Sequence, residues 1–214
     1  VHTGDPFIYR TQYNQDPTAT EGELFKETFW RHYDVLPLDL DTIRIYGDTA
    51  QKQKERNDFS VFQCWGRNRE GIYLIDQVRG KWEAPQLESV LVDFYNKHKS
   101  TLYKPVGAQA VYIEDKSSGS SLIQSISQNY FIPIEGIQRH TDKVLRAWGC
   151  VGQFAAGNVY LPKNAVWLHD YKEEFRHFTP LMTHKFDDQI DPTMDAVEQL
   201  LVHDDILYTN RNLS

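Results

Sequence analysis

The sequence predicts a mixed α/β domain: a central mixed sheet with three leading antiparallel strands and flanking helices. Three observations predict it. Short apolar runs of strand length come first, at Ile43–Asp48, Phe59–Trp65 and Ile72–Asp76. Segments of helical period then alternate with further strand-like runs. The second and third runs are joined by Gly66-Arg67-Asn68-Arg69-Glu70-Gly71, whose turn chemistry reads as a hairpin.

Taken in order, residues 1–40 are irregular and rich in Asp, Thr, Pro and aromatics, and read as an arm or linker with one short helix near Glu23–His32. The domain proper then spans 41–214. After the three strands, Leu87, Val90, Leu91 and Phe94 fall at i, i+3, i+4, i+7, the apolar stripe of a helix entered through Ala84-Pro85. Ala110–Glu114 is a fourth strand. Ser117–Ser121 is a loop leading into a helix that carries Leu122, Ile123 and Ile126. It lacks the Lys-Ser ending of a phosphate-binding loop. Phe131–Ile134 is a short strand that Pro133 makes an edge or irregular one. Lys143–Phe154 is a helix, Asn158–Leu161 and Ala165–Leu168 a small hairpin, and His169–Phe178 a polar helix. A last helix follows Asp191-Pro192, read as an N-cap and N1 pair, with Met194, Val197, Leu200 and Leu201 on one stripe. Three strands followed by helix–strand units is the order of the RNase H-like fold.

Composition narrows the function. With 214 residues the chain can bury a sizeable core. No apolar run reaches membrane-spanning length, and the start is not that of a signal peptide. The missing initiator Met is what a piece of a longer chain would show. Cys64 and Cys150 lie far apart and form neither a disulfide framework nor a zinc motif, which fits a reducing cytosol. A formal charge of −7 argues against a protein that coats nucleic acid, but not against an enzyme whose carboxylates are loaded with cations.

Three acidic points mark the candidate site. Asp48 closes the first strand, Glu114 with Asp115 closes the fourth, and Asp187 with Asp188 precedes the last helix. Ile45-Tyr46-Gly47-Asp48 and Val111-Tyr112-Ile113-Glu114 place each acid two residues after a Tyr, hence on that Tyr's face of the sheet. Close carboxylates repel unless cations neutralise them, and hard oxygen donors select Mg²⁺ or Mn²⁺. Two such ions serve phosphodiester hydrolysis. The plainer account stands beside this one: Asp48 leading into the polar loop Thr49–Asn57, Glu114 and Asp115 solvated, and Asp187 and Asp188 complementing a helix dipole. Two basic stretches, Lys52, Lys54 and Arg56, then Arg139, His140, Lys143 and Arg146, are candidate phosphate contacts or solvated faces. The five Trp read as core or arm anchors.

These motifs, in this order, resemble the C-terminal nuclease domain of the large terminases of tailed phages. Gln12–Pro17, Glu21–Lys26 and Phe29-Trp30 are similar to the segment joining that family's ATPase and nuclease domains. Gly47-Asp48-Thr49-Ala50 with Asn57–Val61 is similar to its first acidic motif, and Asp76–Trp82 to its third strand. Tyr112–Gly119 is similar to its second acidic motif, Asn158–Pro162 to a stretch before the last motif, and Asp187–Asp191 to the third. The resemblance implies an RNase H-like, two-metal endonuclease that cuts concatemeric double-stranded viral DNA during packaging. Metal-binding and catalytic roles pass to Asp48, Glu114 and Asp188, with Asp187 adjacent. Asp115 is the alternative to Glu114, which parity favours. Pro192 departs from the family's pattern, so Asp191 and Asp195 become fallback ligands. Lys116 joins the candidate DNA contacts. Implied partners are an ATPase domain on the same full-length chain, a small terminase subunit and the portal of the procapsid, in the host bacterial cytoplasm. The alternatives are a non-catalytic DNA-grip or portal-docking module and another RNase H-like nuclease of the resolvase or transposase type.

Overall fold

A computed structural model describes residues 24–50, 59–102, 106–179 and 187–203. The strands are β1 (Arg31–Tyr33), β2 (Thr42–Asp48), β3 (Ser60–Asn68), β4 (Gly71–Gly80), β5 (Ala110–Glu114), β6 (Ile134–Ile137) and β7 (Val159–Pro162). The helices are α1 (Ala84–His98), α2 (Ser118–Asn129), α3 (Lys143–Ala155), α4 (Leu168–His177) and α5 (Ile190–Val197), the last running into a π-turn over Glu198–His203. The strands form one sheet in the order β1-β7-β4-β3-β2-β5-β6. β2, β3 and β4 are antiparallel neighbours, and the remaining pairs are parallel.

The strand alternation sorts side chains onto two cores. Ile43, Ile45, Phe62, Val111 and Ile113 pack beneath Leu87, Leu91 and Phe94 of α1 and Leu122 and Ile126 of α2. Tyr46, Trp65, Ile72 and Leu74 face the opposite way, onto Ala147, Cys150 and Phe154 of α3, Tyr171 and Phe175 of α4, and Met194 of α5. Segment 24–40 contributes to this architecture: Leu24, Phe25 and Trp30 are buried in the second core, with Phe25 stacked edge-on against Phe154 and Phe175.

The β3–β4 hairpin turns on two residues, Arg69 and Glu70, so both strands run longer than the sequence pattern shows. Gly71 has φ +152°, and a Cβ there would stand 2.2 Å from the Asn158 carbonyl. That close approach lets the Ile72 N–H reach Asn158 O at 2.9 Å and seats β7 beside β4.

Five expected elements come out differently. Ser118–Ser121, expected as loop, already forms the first turn of α2. Glu27–Phe29 is a single 3-10 turn and His32 lies in β1, because this stretch supplies an edge strand to β7. The expected hairpin after Asn158 does not form. Val159–Pro162 is captured in parallel between β4 and β1, while Val166 is exposed in a turn before α4. The edge strand expected at Phe131–Ile134 begins at Ile134. Phe131 is exposed, and Pro133, which lacks an N–H, contributes its carbonyl to Val111. Finally, α5 starts at Ile190 rather than at Pro192. Pro192 sits in the first turn, where its missing N–H has no intrahelical partner to lose.

Candidate metal and phosphodiester site

Parallel pairing of β2 with β5 sets Tyr46 opposite Tyr112, and their rings stack at 5.5 Å. One pleat on, Asp48 and Glu114 leave the ends of adjacent strands on the same face of the sheet. Gly119 allows α2 to start close against this edge, since a Cβ there would meet the Glu114 carbonyl at 2.1 Å. Asp115 takes the other parity and accepts a 2.6 Å hydrogen bond from Ser120 Oγ on α2.

Helix α5 crosses the same edge from the opposite core. Asp191 and Asp195, four residues apart on one helical face, are turned toward Asp48 and Glu114. Between the acids lies the guanidinium of Arg139, from the loop after β6, with a side-chain exposure of 8%. Its Nη1 stands 2.8 Å from Glu114, 3.5 Å from Asp191 and 3.7 Å from Asp48, and its Nη2 stands 2.8 Å from Asp195. Arg146 on α3 holds Asp191 at 3.1 Å and Asp195 at 2.5 Å. Lys143, one turn earlier, holds Asp191 at 2.5 Å and also bonds Asp187.

These contacts set the ionisation of the acids. Burial raises the Asp48 pKa well above the usual carboxylate range, with Asp191, Glu114 and Asp195 adding to it against Arg139. Burial also raises Asp195 despite its arginines. For Asp191 burial is outweighed by Arg139, Lys143 and Arg146, and its pKa is lowered. The Arg139 side chain is buried and Lys143 half-buried, yet the pKa of each is raised, because the acids around them outweigh the desolvation.

Asp188 lies elsewhere: it pairs with Arg79 Nη2 at 3.0 Å, and the same nitrogen is 3.2 Å from Glu174. Gln189 ties this segment to the sheet. Its N–H and Nε2 donate to the two Glu174 carboxylate oxygens at 2.6 and 2.7 Å. Its Oε1 accepts from Gln77 at 2.6 Å, and its carbonyl accepts from Gln63 at 2.9 Å. Of the basic residues expected at phosphates, Lys116 is largely exposed and pairs with Glu114 at 2.7 Å. Arg139 and Arg146 are buried among acids, and Lys143 is mostly so. Lys52, Lys54 and Arg56 lie outside the described residues. The pairing of α3 cations with α5 acids was signalled by spacing: Lys143 and Arg146 at i, i+3 match Asp191 and Asp195 at i, i+4.

In kind, the donor set suits a hard divalent cation, being all carboxylate oxygen. In arrangement, Arg139 fills the centre. Among the described residues, no three acidic, His or Cys side chains are grouped so as to hold an ion.

Residues 45–200 match the model of a family described as terminase RNaseH-like domain. No curated protein matches the chain. Among solved structures, it is similar to the large terminase of a thermophilic bacteriophage in complex with ADP. That match has a TM-score of 0.64 and 12% identity, over 85% of this chain and 45% of that one. It is similar to the large terminase nuclease of thermophilic phage G20c, with a TM-score of 0.60 and 13% identity, over 83% of this chain and 98% of that one. It is also similar to the large terminase nuclease domain of bacteriophage SPP1 with bound Mn, with a TM-score of 0.53 and 18% identity, over 79% and 96%. The chain therefore spans less than half of the ADP-bound terminase and nearly all of the two nuclease domains.

Proposed function

This chain belongs to the terminase RNaseH-like domain family, and from that premise we propose that it is a metal-dependent endonuclease cutting concatemeric double-stranded viral DNA during genome packaging. One observation carries the reading: the β2–β5 register delivers Asp48 and Glu114 to one sheet edge, where α5 adds Asp191 and Asp195.

Asp48, Glu114 and one acid of the 187–195 segment would hold two divalent cations, Mg²⁺ or Mn²⁺. When bound, these supply the activation of water and the stabilisation of the leaving oxygen, giving 5′-phosphate and 3′-hydroxyl ends. Asp191 is preferred to Asp188 as the third ligand, because Arg139 Nη1 lies near Asp191, Asp48 and Glu114 at once, whereas Asp188 is engaged by Arg79. Asp195, deeper on the same face, steadies Arg139 and Arg146. Lys116 would hold the DNA backbone at the rim, and Lys52, Lys54 and Arg56 are further proposed phosphate contacts. Lys143 and Arg146 act one layer behind, holding the acids of α5.

An ATPase domain on the full-length chain, a small terminase subunit and the portal are the proposed partners, in the host cytoplasm. Support for the first is that the chain matches 45% of a large terminase that binds ADP. Among the described residues no helix is long and apolar enough to cross a membrane.

The test is plasmid cleavage with Mn²⁺ or Mg²⁺. Folded Asp48→Ala, Glu114→Ala and Asp191→Ala are expected to lose at least about 100-fold in rate, and Asp188→Ala to lose far less. Loss in Asp188→Ala with retention in Asp191→Ala would return the third ligand to Asp188. A second reading, a non-catalytic DNA-grip or docking module, is favoured by Arg139 standing among the acids. It prevails if the folded wild type leaves DNA intact with both metals.

A further inference from the structure

Arg139 occupies an unusual position. Its guanidinium is buried, and its nitrogens lie within 3.7 Å of four carboxylates drawn from β2, β5 and α5. Acids brought this close need a compensating cation, and here the chain supplies one of its own. A guanidinium at that centre and a divalent ion on the same oxygens compete for both space and charge. Taking up the metal-nuclease reading above, we propose that Arg139 is a resident cation, exchanged for the divalent ions as they bind.

Two features of the surroundings equip the site for exchange. First, Arg139 borders a cavity of about 340 Å³ whose wall includes Glu135, Gln138, His140, Glu198 and Gln199. A guanidinium withdrawn from the cluster has room there and two further carboxylates to meet. Second, Lys143 and Arg146 grip Asp191 and Asp195 independently from α3. The α5 acids therefore keep counter-charges when Arg139 leaves, and the helix need not move. The metal affinity of the resting domain is then set by the cost of displacing Arg139, and any contact that draws Arg139 outward, such as a DNA phosphate, raises it.

Isothermal titration of Mn²⁺ into the 214-residue chain tests this without relying on cleavage. Arg139→Gln is expected to bind Mn²⁺ at least about tenfold more tightly than the wild type, and Asp48→Asn to weaken binding in both backgrounds. Tight binding seen in Arg139→Gln alone is the strongest form of that result. If the wild type binds Mn²⁺, Asp48→Asn abolishes it, and Arg139→Gln binds equally or more weakly, exchange is overturned while the metal site stands. If neither the wild type nor Arg139→Gln binds Mn²⁺, the metal reading falls and exchange falls with it. Should Arg139→Gln fail to fold, NMR of the wild type decides. The Arg139 Nε–H resonance is expected to be protected from solvent exchange without metal and to lose protection as Mg²⁺ saturates. Protection unchanged at saturation overturns the proposal.

Discussion

Glu174 shows how burial sets the behaviour of a single residue. Its carboxyl is 5% exposed and its pKa is pushed up to about 7, mainly by burial, against the hydrogen bonds from Gln189 and the charge of Arg79. In the unfolded chain the same group titrates near 4.5. The folded protein thus binds this proton more tightly, so the contribution of Glu174 to stability is greatest below pH 4.5, declines as pH rises toward about 7, and stays low above it. The difference is on the order of 3 kcal/mol. Glu174→Gln is expected to remove this dependence at a fixed cost of about 1 kcal/mol for the lost acceptor. Melting curves of both proteins across that window check it; parallel curves would show that Glu174 is not the titrating group. Asp48 is raised by the same cause, but its neighbours are acids rather than amide donors.

At the scale of the element, α5 is held less by helix propensity than by the polar clamp at its start. Pro192 and Thr193 are poor helix formers, but Gln189 bonds Glu174, Gln77 and Gln63 from two strands and a helix. Thr193 Oγ1 and Tyr171 Oη lie 2.9 Å apart inside the same buried network. Gln189→Ala keeps the backbone bonds with Glu174 and Gln63 but removes the side-chain bonds to Gln77 and Glu174, and is expected to cost about 1–3 kcal/mol. Because Asp191 and Asp195 ride on the helix whose start Gln189 anchors, cleavage should also fall at temperatures where the variant is fully folded. Calorimetry and plasmid cleavage on the same sample check both. Full activity in a folded, destabilised Gln189→Ala would mean that α5 finds its place without the clamp.

For the whole molecule, one sheet separates two cores and leaves the carboxylate cluster at one end, beneath α5. The formal charge is −7, and of the basic residues expected at phosphates, Arg139, Lys143 and Arg146 are engaged by acids of α5, while the exposed Lys116 pairs with Glu114. On the proposed function, duplex DNA would then be held by about four phosphate contacts, Lys116 with Lys52, Lys54 and Arg56. Cleavage is expected to drop about 100-fold between roughly 50 and 200 mM salt, the counterion-release slope of about four neutralised phosphates. Rates measured across that range check it, and a flat profile would count against Lys116 and its basic companions as DNA contacts. In the opposite sense, replacing the exposed Lys116 should lower the slope without disturbing the fold.

The sequence by itself determined what is local. Strand-length apolar runs, the stripe Leu87–Phe94 and the shared parity of Asp48 and Glu114 after their tyrosines all follow from periods of 2 and 3.6 residues. Tertiary structure decided what depends on partners distant in sequence. The three-residue β1 carries too little pattern to be read alone, and β7, legible as a strand at Asn158–Leu161, takes its parallel partners from β4 and β1 rather than from the segment that follows it. The start of α5 before Pro192 was decided by Gln63, Gln77 and Glu174. Arg139 and Arg146 could be read locally as a basic stretch facing solvent. They are buried instead because β2, β5 and α5 bring four carboxylates together, and charges so close need cations in the same place.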